Sequence, residues 1–533
     1  MLQRVCAQRQ RSIAAVAGLL LGLQALGCPP ARAHTSNPPA LTASEAPVAL
    51  WLEQNRHRPP ALQAFVQRLP KGGDIHSHLS GAVYAEHYLA WAAQDGYCVD
   101  PVGPALVPPS GCHRGGRLVP AAQLMEQPAL YQQLVDRWSI RNLAFAGRSG
   151  HDQFFQAFAG FNPIASSPSR QDDMVAAVAN RAAAQHVFYL ELMLTLKGRE
   201  VRELGQQVGW RGDGAQTRQQ LLDRGLLQLV QQGEQELQAL QRELAKTLGC
   251  GTANAQPGCA VTVRFLQQTT RTAPPQEVFA QLVYAFELAR ASRAVVGLNL
   301  VAPEDNPVAL RDYTLQMRML QGLKRLHPEV KVALHAGELT LGLVPPERLR
   351  DHIRQAVEIA GAQRIGHGVA VMHEQQPDAL LELMRRRGVL VEICLTSNAV
   401  ILNVVGPDHP FLEYKRAGVP LTLASDDEGI SRIDLSHEYR LAIQRYGLHY
   451  RDLKQLARNS LEYSFLPGQS LWDSPRYTRM QPSCRADQAG AATRSAGCSN
   501  FLRRNERARA QWTLEQEFAR FEALPAFQAR TKA

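Results

Sequence analysis

The order of apolar and helical stretches predicts an α/β fold, a (β/α)8 or TIM barrel. An N-terminal arm, disulfide-closed loop insertions and a C-terminal helical extension complete it. Three observations carry this. Eight short runs rich in Val, Ile and Leu recur between residues 74 and 424. Stretches of helical character lie between them, as in a barrel of strand–helix units. Finally, no G-x-G-x-x-G or Walker loop supports the alternative, a doubly wound open sheet.

Taken in order, residues 34–70 are a Pro/Ala-rich arm with one short helix near 48–54. The strands are placed at 74–79, 187–194, 261–267, 294–301, 332–335, 364–371, 389–395 and 421–424. Helices are placed at 82–94, 278–291, 313–326, 346–360 and 377–387. Residues 219–248 carry apolar side chains at 222, 226, 229, 237, 240 and 244, the period of one long helix. The aromatic helical stretch at 153–158 reads first as core packing and second as a lid over a substrate. Residues 98–112 form a Pro/Gly loop, 474–499 a polar loop and 500–524 a charged helix on the barrel's outside or facing a partner. The segments are 1–33, 34–70, 71–470 and 471–533, with no internal repeat.

The chain has 533 residues, enough for one large barrel with extensions. Hydrophobic content is 45% and charged content 20%, ordinary for a globular protein. Net charge is +10, and Arg4, Arg9, Arg11 and Arg32 lie in a leader-like segment, which leaves 10 − 4 = +6. No dense Lys/Arg block is present, so nucleic-acid binding is not indicated. Three of those arginines precede an apolar core at 13–26, too short for a comfortable span, and Ala31-Arg-Ala33 follows. That pattern reads as a signal peptide cleaved after Ala33, giving export and no stable membrane insertion. A rival reading is a lipoprotein box ending at Cys28. Six cysteines form close pairs, Cys98/Cys112, Cys250/Cys259 and Cys484/Cys498. In an oxidising compartment these read as three local disulfides, though spacing alone leaves connectivity open. Cys394, inside an apolar run, reads as a buried thiol.

Chemistry concentrates at strand ends. His76-Ser-His78 places two imidazoles on one face of an extended chain. His335-Ala-Gly-Glu338, Arg364-Ile-Gly-His-Gly368 and Ser425-Asp-Asp427 follow three later apolar runs. Barrel sites gather at the C-terminal ends of strands, so these four stretches converge on one rim. Neutral imidazoles with a carboxylate suit zinc, and a catalytic zinc keeps one position for water. A glycosidase also uses a carboxylate pair but has no need of four histidines.

Four motifs in this order, P-K-x-x-x-H-x-H-L-x-G-A, H-A-G-E, R-I-G-H-G and S-D-D, resemble the adenosine deaminase family from about Lys71 to Pro467. The two-cysteine insertion resembles its secreted, growth-factor-related branch. The resemblance implies one Zn2+ per chain held by His76, His78, His335 and Asp426. It implies Glu338 as proton donor to purine N1, with His367 orienting the oxygen nucleophile. Asp427 is then the partner of N7, and the backbone N–H of Gly337 or Ala302 faces the purine edge. The family carries Gly where Ala302 stands and Asp where Ser80 stands; that Asp is the expected contact of the ribose 5′-hydroxyl. Thr396-Ser-Asn398 matches a loop that either shapes the rim or is structural. The implied function is an exported deaminase of adenosine and 2′-deoxyadenosine, acting on a small-molecule purine nucleoside. The alternatives are a deaminase of adenine or a modified nucleoside, a non-catalytic secreted binding protein on the same barrel, and a phosphotriesterase-type hydrolase. Nothing in the sequence indicates an oligomeric state.

Overall fold

The computed structural model describes residues 41–113 and 117–528. The signal-peptide and lipoprotein readings, and the beginning of the arm, fall outside the described residues. Eight parallel strands form the barrel: β1 Gly72–His78, β2 Val187–Leu194, β3 Thr262–Thr270 and β4 Val295–Val301, then β5 Ala333–Ala336, β6 Arg364–His367, β7 Leu390–Ile393 and β8 Leu421–Leu423. Strands β1 to β4 pair in sequence order, as do β5 to β8. Two parallel bridges, Leu298 with Val332 and Ser77 with Asp426, join the two sets and close the cylinder. All the strands but β3 are buried along nearly their whole length, which is why β2, β4 and β8 read as largely apolar runs.

The differences from the expected elements have local causes. Strand β6 stops at His367, whose φ of 67° takes the chain out of the extended region. Residues 219–248 are two helices, Gly214–Asp223 and Leu226–Thr247, parted at Gly225 with φ 98°. The stretch 82–94 is also divided, into Leu79–Ala82 and Ala85–Gln94, and 346–360 into a 3-10 turn Pro346–Leu349 and a helix His352–Glu358. The loop 98–112 is not irregular: Cys98–Asp100 pairs antiparallel with Ala105–Val107 and with Val119–Pro120. Three disulfides join the expected cysteines, and Cys394 is a buried free thiol.

The arm holds two helices, Glu45–Asn55 and Pro59–Arg68, and the C-terminal stretch holds Ala496–Arg504 and Glu506–Glu522. They clasp each other: Trp51 stacks on Phe65 at 5.2 Å, and Phe521 meets Phe65 edge-on at 5.4 Å. Buried Lys454 bridges Glu45 (2.8 Å) and Glu522 (2.7 Å). The tail thus packs on the chain's own arm and barrel. No helix among the described residues is long and apolar enough to cross a membrane.

Candidate active site

His78 ends β1, His335 lies in β5, His367 ends β6, and Asp426 and Asp427 follow β8. All reach the same end of the barrel. His78 Nε2 and His335 Nε2 approach to 3.2 Å. Asp426 Oδ1 lies 3.4 Å from both His76 Nε2 and His78 Nε2. Two groupings have ligand atoms within 4.8 Å of one another: His76, His335, His367 and Asp426; and His78, Asp426 and Asp427. They share Asp426.

The groups behind these side chains explain their aim. His76 Nδ1 donates to Glu392 at 2.6 Å, and Glu392 is held in turn by Arg364 Nε at 2.6 Å. His335 Nδ1 donates to Asn299 Oδ1 at 2.9 Å. Such partners settle the tautomer and turn Nε2 toward the site. Arg271 donates to the carbonyls of His335 (2.8 Å) and Leu300 (2.7 Å). Glu304 accepts the backbone N–H of Gly337 (3.1 Å) and of Glu338 (2.9 Å) and so braces the loop that carries Glu338.

Two glycines keep space for the site. A Cβ on Gly366 would stand 2.5 Å from His76 Cε1, and one on Gly81 would collide with the Asp427 carboxylate. Three non-glycine residues of the rim adopt positive φ: Ala302 (85°), His367 (67°) and Asp426 (59°). Backbone strain of this kind collects where a fold must aim side chains.

Charge is arranged unevenly. Burial lowers the His76 imidazole, but Asp426 and Glu392 on its two nitrogens outweigh this and raise it to about 10. That point therefore holds one positive charge, a proton or a metal. Burial and the neighbouring imidazoles keep His335 well below the usual range. Asp426 is raised by burial but brought well below its usual range by His76 and His78. Burial and the nearby Asp426 charge push Glu338 well above the carboxylate range. Asp427 is pushed up by the same two causes. One carboxylate is thus drawn toward its ionised form beside two pushed toward their protonated forms.

His76 Nε2, His367 Nε2, Asp426 Oδ1, Asp427 Oδ1 and Glu338 Oε1 are buried without a hydrogen-bond partner among the described residues. Buried polar atoms are nearly always satisfied, so this convergence of unpaired nitrogen and oxygen fits a bound cation and a polar ligand. The donor set, imidazole and carboxylate, is that of a divalent zinc-like site.

A cavity of about 390 Å³ opens onto these residues. It is lined by His78, His335, Glu338, His367, Asp426 and Asp427, and by Ser80, Gln268, Val301, Ala302 and Pro303. Phe154, Phe155, Phe158 and Ile401 line it as well. The phenylalanines, read first as core, are wall as well as packing: Phe154 is buried, and Phe155 and Phe158 are half-buried. One expectation fails. Gly337 does not line the cavity, and its N–H is taken by Glu304, so only Ala302 of the two backbone candidates faces the space. Lys71 lies at the start of β1, with its ammonium on the carbonyls of Val66, Leu69 and Gln185. It is no bridging ligand.

Sequence reading missed Glu392, Asn299, Gln268, Glu304 and Arg271. Two of these left a visible sign: Glu392 and Asn299 are lone polar residues within runs of buried strand. A polar side chain in a strand buried on both faces must find a partner, and here the partner is a site histidine or its support.

The sequence model of adenosine deaminase matches residues 130–471, more than half of the chain. The chain belongs to the adenosine deaminase family. The matched stretch begins after His76 and His78, which come to the site through β1. Among its relatives, adenosine deaminase from Shewanella loihica is 39% identical over 113 residues, 21% of this chain and 33% of that protein. Adenosine deaminase from Clostridium perfringens is 30% identical over 136 residues, 25% of this chain and 38% of that protein. The chain spans only a third or so of the length of the curated relatives it matches. Solved structures of similar outline include an N6-methyl-AMP deaminase from Arabidopsis thaliana, with 21% identity and a TM-score of 0.49 over 76% of this chain and 96% of that one. An adenine deaminase from Arthrobacter aurescens has 17% identity and a TM-score of 0.49 over 75% and 94%.

Proposed function

We propose that this adenosine deaminase family member is an exported, zinc-dependent aminohydrolase. It removes the 6-amino group of adenosine and 2′-deoxyadenosine. In the overall reaction water adds at C6, ammonia leaves, and the inosine form remains. The observation that carries this reading is the meeting of Asp426, three imidazoles and the buried Glu338 carboxyl on one cavity.

His76, His78, His335 and Asp426 would hold the zinc, which when bound supplies a water of lowered pKa. The remaining steps belong to the chain's own groups. Glu338 carries the proton that purine N1 must gain as the ring loses aromaticity, and burial beside Asp426 favours its protonated form. Asp427, also held protonated, donates to N7. The phenylalanine wall excludes water from the base.

The cavity lining includes no Lys or Arg among the described residues, which favours a nucleoside or free base over a 5′-nucleotide. Ser80 on the same wall favours a second reading, a deaminase of adenine or of a modified nucleoside. Export is supported by three disulfides, a usage suited to an oxidising compartment. Intact mass of the secreted protein tests it, with a start at His34 and one free thiol as the expected result.

A panel of 6-aminopurine nucleosides, bases and nucleotides, followed by ammonia release and ultraviolet shift with and without a chelator, tests the activity. Chelator-sensitive release from adenosine is expected. Binding without release from any of them would point to the non-catalytic alternative.

A further inference from the structure

The groups behind the site histidines differ in one respect. Behind His76 and His335 stand acceptors, Glu392 and Asn299 Oδ1. The Asn299 assignment is fixed by the backbone, since the His335 N–H also donates to that oxygen at 3.2 Å. Both rings therefore keep a proton on Nδ1 and turn Nε2 to the site, where a metal can take it.

Behind His367 the order is reversed. Phe411 donates its backbone N–H to His409 Nδ1 at 3.1 Å. A backbone amide only donates, so this nitrogen is bare and the His409 proton sits on Nε2. His409 Nε2 is 3.0 Å from Asn398 Oδ1, and Asn398 Nδ2 is 2.9 Å from His367 Nδ1. Turning the Asn398 amide over would set its N–H against the N–H of His409. Nor can His409 be doubly protonated, because a proton on Nδ1 would face the Phe411 amide. Asn398 consequently donates to His367 Nδ1, and the proton of the neutral His367 ring is on Nε2.

The chain is buried throughout: Asn398 and His367 are 0% exposed and His409 is 3% exposed. Burial keeps the His409 ring neutral, at about 4, and the donor on His367 Nδ1 leaves that nitrogen without a proton. Glu338 Oε1 also approaches His367 Nδ1, at 3.5 Å, too far to compete with Asn398.

We propose that Asn398 and His409 are positioning residues that hold His367 as its Nε2–H tautomer. His367 then donates a hydrogen bond into the site and is excluded from the ligand set, although its ring lies among the ligands. The ligands His76 and His335 have a fixed acceptor behind them, whereas the Gln268 amide behind His78 ends on the Thr195 hydroxyl at 3.2 Å, which donates or accepts, so this amide is free to turn its carbonyl to His78 Nδ1 and leave Nε2 for the metal. The kinetic part of this proposal rests on the deaminase reading; the tautomer does not.

The test uses the zinc-loaded full chain labelled with 15N-histidine. Long-range proton–nitrogen correlation reads which ring nitrogen is protonated, and His367 is assigned by its loss in His367→Gln. The wild type should show the proton on Nε2. Asn398→Asp offers only acceptors, so it should place a proton on Nδ1 and lower kcat about 10- to 100-fold, the range for losing a partner that orients a site histidine. KM and zinc content should hold. His409→Gln keeps a donor to Asn398 and should lie nearer to wild type than His409→Leu. A wild-type His367 protonated on Nδ1, or an Asn398→Asp protein with tautomer and kcat unchanged, would overturn the proposal. The expected tautomer in a protein that deaminates nothing would sink the deaminase reading and leave the relay standing.

Discussion

Asp426 donates its backbone N–H to the carbonyl of His76 at 3.0 Å and accepts the N–H of His78 at 2.9 Å. The residues that would share a metal are thus also the seam at which the last strand of the barrel meets the first. Closing the cylinder and assembling the site are one event, and a lesion in either should be felt in the other.

Metal content follows most directly. The purified chain should hold about one zinc, as a three-histidine, one-carboxylate site implies. His335→Ala should lose metal retention and activity while circular dichroism shows much of the barrel intact. Protons compete for the same atoms, since Asp426 and Glu392 raise His76 to about 10. Zinc retained after dialysis should therefore fall as pH falls. An active enzyme free of transition metal by elemental analysis would contradict this.

Gly366→Ala places a methyl group against the His76 ring. The ring must rotate or β6 must shift. Metal affinity should drop by about 10- to 100-fold, the scale of other changes that misorient a ligand. Competition with a chromophoric chelator measures it, and unchanged affinity would show that the rim yields easily.

Glu338→Gln keeps the shape and removes the transferable proton. kcat should fall by about 10²- to 10⁴-fold, the usual worth of a general acid. The sign with pH is set by the raised Glu338 pKa: the acid form is required, so activity in the wild type is lost as pH rises through that value. The substitution should abolish this alkaline limb, and a pH profile of kcat/KM with the limb intact would assign it elsewhere.

Ala302 holds φ 85° where the family carries glycine. Left-handed backbone costs a non-glycine residue about 1–2 kcal/mol. Glycine also adds about 0.4–1 kcal/mol of unfolded-chain entropy. Ala302→Gly should therefore leave stability unchanged or raise it, by about 1.6 kcal/mol at most, the difference of those two effects. Denaturant melts decide, and a clear loss would mean that the Ala302 methyl packs usefully.

Ser80 lines the cavity, whereas no residue of the 98–112 loop does so among the described residues. A carboxylate accepts a hydroxyl hydrogen bond worth about 1.5–3 kcal/mol, against about 1 kcal/mol for a neutral partner. With serine there, 5′-deoxyadenosine should keep kcat/KM within about tenfold of adenosine, since about 1.4 kcal/mol is a factor of ten. Ser80→Asp should widen the gap by improving adenosine. A hundredfold loss in the wild type would mean that another group has taken over the missing carboxylate's role.

What the sequence by itself determined was the set of parts and their order. Val187–Leu194 is unbroken apolar chain around one glutamate because a parallel strand is buried on both faces, and that signal survives in one dimension. The H-x-H, H-A-G-E, R-I-G-H-G and S-D-D stretches were legible for a similar reason: ligands and their spacing within one strand end are local. Cysteine pairs that bracket short loops were legible too. The tertiary structure alone decided which atoms meet. Asn398 and His409 are far from His367 along the chain, and nothing in their neighbours indicates which of them donates. That direction comes from a single backbone N–H at Phe411. The loss of Gly337 as a substrate contact was equally invisible, because Glu304 reaches it from another strand end. Hydrogen-bond direction depends on which donors and acceptors close packing leaves facing each other, and that is fixed only when the barrel closes.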